Sequence, residues 1–198
     1  MDKNFLEAVE KRRSYYSISK DFVISDEEIR KIIEHAVLHT PSAFNSQSTR
    51  IVLLLSSEHD KLWNMTKHIL RAIVPGDQFA QTEEKINSFR NGYGTILYYE
   101  DTNVVNGLME SYPLYADNFP IWSHQTAGMH QFVIWTALEN EGFGVSLQHY
   151  NELISDTVAK EWNIPSHWSL NAQMPFGKPT LPPGEKTYLP LEDRIKIY

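Results

Sequence analysis

The chain has 198 residues, of which 41% are hydrophobic and 12% aromatic; 18 basic side chains stand against 25 acidic ones, a formal net charge of -7. Such a surface repels a nucleic-acid backbone on average, and the densest basic cluster, Lys11 with Arg12 and Arg13, would hold one phosphate rather than a duplex. With no cysteine present, disulfides, thiolate catalysis and cysteine metal sites are excluded, and a reducing, cytoplasmic setting is expected. No run approaches the roughly 20 apolar residues of a membrane span, and the first residues carry no apolar stretch that would read as a leader. The length suits a single domain, 1–198.

In chain order, residues 3–13 read as a helix: Phe5, Leu6 and Val9 share a face, and the basic trio sits at the end where positive charge is favoured. Ser25 with Glu28 forms a capping-box pattern, followed by the stripe Ile29, Ile32, Ile33, Ala36 and Val37, with Pro41 beyond the helix end. Residues 50–56 are nearly continuously apolar, the pattern of a central strand covered on both faces. Helices are expected over 59–72 and 82–90, a strand over 92–99 and a helix over 101–109. Residues 112–122 mix aromatics with Pro113 and Pro120 and read as a loop over something apolar. Residues 124–140 form a long helix with little solvent face, suited to a buried or dimer-forming position. A short strand over 145–148, a helix over 151–160 and a strand over 170–174 follow, and the proline-rich stretch 175–190 is expected to be extended. Strands separated by helices give an α/β or α+β sheet protein; Gly92, Gly94, Gly142 and Gly144 precede strands, so they make no dinucleotide fingerprint.

Two constellations carry chemistry. Arg12, Arg13 and Ser14 near one end and Lys178 near the other offer guanidinium forks, a hydroxyl and a point charge to an anion. The turn over residues 41–47, with Ser42, Asn45 and Gln47, offers carboxamides able to read the amide-like edge of a flat ring. The competing readings are ordinary helix-end charges and a turn network that merely holds the following strand. Metal binding is not expected: His124 and His130 point in different directions on a helix, and His35 and His39 share a face without a third ligand. No Gly-x-Ser-x-Gly elbow supports a serine nucleophile. Tyr112, Tyr115, Phe119 and Trp122 suit a core or interface more than a substrate pocket.

The motifs Arg12-Arg13-Ser14-Tyr15-Tyr16, Pro41-Ser42-Ala43-Phe44-Asn45-Ser46-Gln47, Tyr93-Gly94-Thr95-Ile96-Leu97, Gly142-Phe143-Gly144 with Leu147-Gln148-His149-Tyr150, and Gln173-Met174-Pro175-Phe176-Gly177 run nearly end to end. In this order the chain resembles the FMN-dependent nitroreductase family, in particular its short bacterial and fungal branch. The resemblance implies an α+β sandwich, with a central mainly antiparallel sheet flanked by helices, in an interlocked homodimer with FMN in interface clefts. It places Arg12, Arg13, Ser14 and Lys178 at the phosphate and ribityl chain, Ser42, Asn45 and Gln47 at the flavin, and Leu147 and Gln148 beside the ring. Many relatives carry a second arginine two places past the serine; here that place is Tyr16, leaving the phosphate fewer cationic partners. No proline-glutamate-glycine element is evident, so no catalytic residue is assigned. The implied activity is electron transfer from NADH or NADPH through FMN to small planar acceptors such as nitroaromatics or quinones, in alternating half-reactions. A flavin store, sensor or delivery protein would use the same groups without turnover. A cofactor-free dimeric module would use neither.

Overall fold

The computed structural model describes residues 4–198. The first helix, α1 (Phe5–Lys11), is capped by the Asn4 side chain and ends before the arginines; residue 3, where the sequence pattern starts it, lies outside the described residues. A two-residue strand β1 (Ile18–Ser19), not foreseen, follows. Next comes α2 (Asp26–His39), whose N-terminus carries the complete Ser25/Glu28 capping box. The succeeding elements are β2 (Thr49–Leu55), α3 (Ser56–Ile73), α4 (Phe79–Arg90), β3 (Gly94–Asp101), α5 (Thr102–Ser111), α6 (Phe119–Asn140), β4 (Gly144–Val145), α7 (Asn151–Glu161) and β5 (Trp168–Pro179).

The strands form one antiparallel sheet in the order β1-β5-β3-β2, with β4 paired to the C-terminal end of β5. Helices cover both faces. On one face, α2 and α6 pack Ile29, Ile33, Ile134 and Leu138 onto Ile96, Tyr98, Met174 and Phe176. On the other, α3, α4 and α7 pack Trp63, Phe89 and Val158 onto Leu97 and Tyr99. The alternation along β3 divides the two cores, and every residue of β3 is buried. This is the α+β sandwich that the resemblance implied.

Three expectations are corrected. The strand near residues 50–56 is not central: β2 is an edge strand. Its continuous apolarity arises because Ile51, Leu53 and Leu55 meet one core while Val52 and Leu54 meet the other. Coverage of two faces does not require a neighbour on each side. Helix α6 starts at Phe119, five residues earlier than the pattern suggests, because Pro120 falls in its first turn, where no amide hydrogen is needed. The stretch read as a loop is therefore only a short 3₁₀ turn, Pro113–Asn118, ahead of α6. The strand expected over 145–148 shrinks to Gly144–Val145 plus a single bridge between Gln148 and Gln173, while β5 continues through Pro175 to Pro179.

A buried hydrogen-bond chain ties α3 to β3. Trp63 Nε1 donates to Thr95 Oγ1 at 2.9 Å, and Thr95 Oγ1 lies 2.8 Å from His59 Nδ1. His59 Nε2 lies 3.1 Å from the Arg90 carbonyl, which can only accept, so Nε2 carries the proton and Nδ1 accepts from Thr95. Burial pushes the His59 pKa down to about 4, with the Arg90 carbonyl opposing less strongly. The unfolded chain takes up a proton near 6.5 and the folded chain does not until about 4. Stability is therefore full above that window and falls as pH drops through it, by on the order of 3 kcal/mol at most. Urea melts of wild type and His59→Gln at pH 7.0, 5.5 and 4.5 check this. The variant should be weaker at pH 7.0 yet show a flatter pH slope; equal slopes would assign the acid loss elsewhere.

Candidate functional site

The cationic segment begins where α1 stops. Arg12 caps the helix in an extended conformation and turns its guanidinium over the Trp135 ring of α6, 4.4 Å from the centroid. The backbone of Arg13 is held by α6 as well: its N–H donates to both carboxylate oxygens of Glu139, at 2.9 and 2.8 Å, and its carbonyl accepts from Trp135 Nε1 at 3.3 Å. The Arg13 guanidinium turns to the C-terminal tail, where it donates to the Gly184 carbonyl. Ser14 bridges Val145, and Tyr15 N–H donates to the Val145 carbonyl at 2.9 Å. Tyr16 is exposed.

Lys178 is exposed near the end of β5, paired in register with Ser19 of β1. Gly177 faces Gly144 of β4, and a Cβ on Gly177 would fall 2.5 Å from the Ser19 carbonyl, so only glycine lets these strands close together. Both ends of the chain thus deliver their cations to neighbouring strands at one edge of the sheet. Neither the Arg12 guanidinium nor the Lys178 ammonium has an ion-pair partner among the described residues. Leu147 packs at the rim of the α2–α6 core, and buried Gln148 exchanges backbone bonds with Gln173 while its amide reaches Ser146 Oγ at 3.2 Å.

The carboxamide turn is built differently. Phe44, Asn45 and Gln47 have φ of 55°, 51° and 48°, left-handed values that non-glycine residues adopt only when surroundings impose them. Two local bonds help: Ser42 Oγ accepts from Gln47 N–H and the Ser42 carbonyl from Asn45 N–H, each at 3.0 Å. Phe44 supplies the larger anchor, sitting among Tyr112, Tyr115, Phe119 and Trp122 with ring centroids 4.9–6.0 Å away. The Asn45 and Gln47 side chains are left exposed, with no hydrogen-bond partner among the described residues. Beside them lies a cavity of about 330 Å³ lined by Ala43, Phe44, Trp122, Gln125, Thr126 and Met129.

Within one chain the two groups are anchored at separate points of α6. Phe44 anchors at Trp122 and Arg12 at Trp135, thirteen residues along α6, which is about 20 Å at 1.5 Å per residue. The donor sets themselves fit FMN: free cations and a hydroxyl suit a phosphate, and free carboxamides suit the polar edge of a flavin. Among the described residues no group of histidine and acidic side chains is arranged to hold a metal. The sequence reading missed Phe44, Trp135 and Glu139. The first was hidden inside the polar turn, and the other two looked like ordinary members of a long helix.

Comparison with known proteins agrees with this geometry. The signature of the Nitroreductase family matches residues 9–178. The chain belongs to the nitroreductase family. It is in broad terms an FMN-dependent oxidoreductase. Nitroreductase CinD from Lactococcus lactis is 40% identical, with a TM-score of 0.92 over 98% of this chain and 100% of CinD. Its structures hold nicotinic acid, chloramphenicol or 4-nitrophenol. HBN1 of Saccharomyces cerevisiae is 33% identical over 93% of each chain, and the yeast nitroreductase FRM2 is 29% identical over 98% of this chain and 97% of its own.

Strand β3 of this nitroreductase carries a buried acid. Glu100 faces Thr49 across β3 and β2, is 4% exposed, and has both oxygens shut off from water without a partner of hydrogen-bond geometry among the described residues. Burial raises its pKa, against smaller pulls from the Ser48 hydroxyl and the Arg50 guanidinium. The folded state thus favours the proton, and the strain of ionising Glu100 appears as pH rises above the ordinary carboxyl range. Glu100→Gln removes that ionisation. Its melting temperature should exceed wild type by about 2–4 °C at pH 8 and by much less at pH 5; a gain independent of pH would point to packing instead.

Proposed function

We propose that this nitroreductase is a homodimeric FMN enzyme that passes electrons from NADH or NADPH to small, flat, electron-poor acceptors such as nitroaromatics or quinones. One observation carries the reading: the two indoles that anchor the cations and the carboxamide turn stand about 20 Å apart along one helix, which favours a second copy supplying one of the two groups to each cofactor. Exposed apolar side chains support that pairing. Phe5 and Leu6 of α1 and Met129, Phe132 and Val133 of α6 lie more than a third exposed. The outer edge of β2 has no strand partner among the described residues, and the tail alternates exposed Ile195 and Ile197 with charged Arg194 and Lys196.

In this reading Arg12, Ser14 and Lys178 neutralise and bond the phosphate end, with Arg13 and Tyr16 flanking it. Ser42, Asn45 and Gln47 hold the polar edge of the ring, and Leu147 and Gln148 run beside it. Bound FMN supplies the two-electron chemistry; the chain binds, orients and shields. No side chain is assigned a proton-transfer role, water being a sufficient source. The aromatic set around Phe44 and the adjoining cavity give a planar acceptor a stacking surface. Two of the compounds held by CinD, chloramphenicol and 4-nitrophenol, are nitroaromatics of that acceptor class, and the third, nicotinic acid, resembles the nicotinamide ring of the donor. The protein is read as a single domain over 1–198 working in the cytoplasm; no helix among the described residues is long and apolar enough to cross a membrane.

The purified protein should be yellow, absorb at the flavin bands, and oxidise NADH or NADPH only when a nitroaromatic or quinone is supplied. Flavin without turnover would favour storage or delivery, and a colourless protein that ignores added FMN would end the proposal. Arg12→Ala should weaken FMN retention about tenfold at low salt and by less at high salt, because salt already screens the Arg12–phosphate attraction in the wild type. Equal loss at both salts would remove Arg12 from the phosphate. Val133→Asp should shift the elution volume from dimer to monomer and release FMN in the same step; a monomer that keeps its flavin would place the whole site within one chain.

A further inference from the structure

Residues 12–15 form no helix and no strand longer than a bridge, yet they must offer Arg12 and Ser14 to one ligand. Their conformation is imposed from outside. One face of α6 does most of it, through two residues four apart and therefore stacked on the same side of the helix. Glu139 accepts the Arg13 N–H on both oxygens, and Trp135 donates to the Arg13 carbonyl while its ring lies under the Arg12 guanidinium. From the opposite side β4 fixes the next peptide, through the bond from Tyr15 N–H to the Val145 carbonyl.

Glu139 stands in an unfavourable place for an acid. It lies in the last turn of α6, where the helix dipole is negative, and it is 8% exposed. The neighbouring arginines favour its charge, but that same charge competes with the anion this segment would gather. Its two bonds from the Arg13 N–H offset part of the cost of burial. Its charge is felt nearby, adding to burial in raising the Tyr15 pKa.

We infer that Glu139, with Trp135, is a positioning residue for the FMN phosphate: it pins the Arg13 peptide so that the Arg12 guanidinium and the Ser14 hydroxyl face one ligand. The inference rests on the reading above that these two residues hold the phosphate. Glu139 touches no cofactor; it acts through the backbone. The negative charge itself opposes a phosphate, whereas the acceptor oxygens assist by orienting the segment. A neutral isostere separates the two effects. Glu139→Gln keeps an acceptor and drops the charge; Glu139→Ala drops both.

The test uses the FMN-loaded protein. Each variant is diluted, and release is followed by the rise of free-flavin fluorescence, with melting temperature and elution volume recorded alongside. Glu139→Ala should release FMN about tenfold faster and Glu139→Gln within about threefold of wild type. Trp135→Phe, which keeps a ring under Arg12 but loses the N–H, should fall between them. In an Arg12→Ala background, Glu139→Ala should add less than about threefold, because both changes disable the same contact. A Glu139→Ala protein that releases FMN at the wild-type rate overturns the inference, as does a full tenfold effect on top of Arg12→Ala. If Glu139→Ala fails to fold, wild-type release from Trp135→Phe, or loss from Glu139→Gln as large as that from Arg12→Ala, overturns it. Wild-type protein with no FMN to release overturns the underlying reading, and this one with it.

Discussion

The burial of α6 is the constraint on which the rest depends. At 22 residues it runs about 33 Å and has no continuous polar face. Its inner side is locked against the sheet by Ile134 and Leu138. Near one end Trp122 joins the rings that hold Phe44 in its left-handed conformation. Near the other Trp135 and Glu139 hold the peptide that carries the cations. Both candidate half-sites are made of short, irregular chain, and both borrow their order from this one helix. Helices on the other face of the sheet contribute none of the named site residues; their role is to close the second core around Leu97 and Tyr99.

The carboxamide turn shows how local and distant forces combine. Three left-handed non-glycine residues in a span of four are costly by themselves. The two hydrogen bonds that Ser42 accepts, and one from Arg50 to the Gln47 carbonyl, offset part of this, each being worth about 1 kcal/mol net. The aromatic set around Phe44 adds ring contacts with Tyr112, Tyr115, Phe119 and Trp122, although Phe44 itself stays half exposed. The result is a rigid support that leaves Asn45 and Gln47 pointing outward. The buried Glu100 carboxyl on β3, shut off from water, marks a further place where fold stability is given up.

Much of this was legible in the chain. The capping box at Ser25 and Glu28, the stripe of α2, and the order of the motifs led to the correct layers and family. What could not be read has physical reasons. Apolarity on both faces says nothing of how many neighbours a strand has, so β2 passed for a central strand. Pro120 stops a helix in the middle but starts one at its first turn, and residue type alone does not say which applies. β1 is too short for a period-2 pattern. Phe44 reads as an apolar intruder in a polar turn until its ring partners, some seventy residues later, are placed around it. Glu139 acts on a peptide N–H 126 positions away in sequence, and backbone partners leave no trace in residue spacing.

A rigid rod between two anchoring indoles behaves as a ruler. One residue inserted between Trp122 and Trp135 would advance the second indole by 1.5 Å and swing it by about 100° around the axis. Arg12 would then lose the ring beneath it although no residue near Arg12 had changed. The same insertion in the short turn ahead of α6 would lengthen a surface connection and leave the spacing intact. An inserted residue therefore costs the Arg12 contact on one side of Phe119 and spares it on the other.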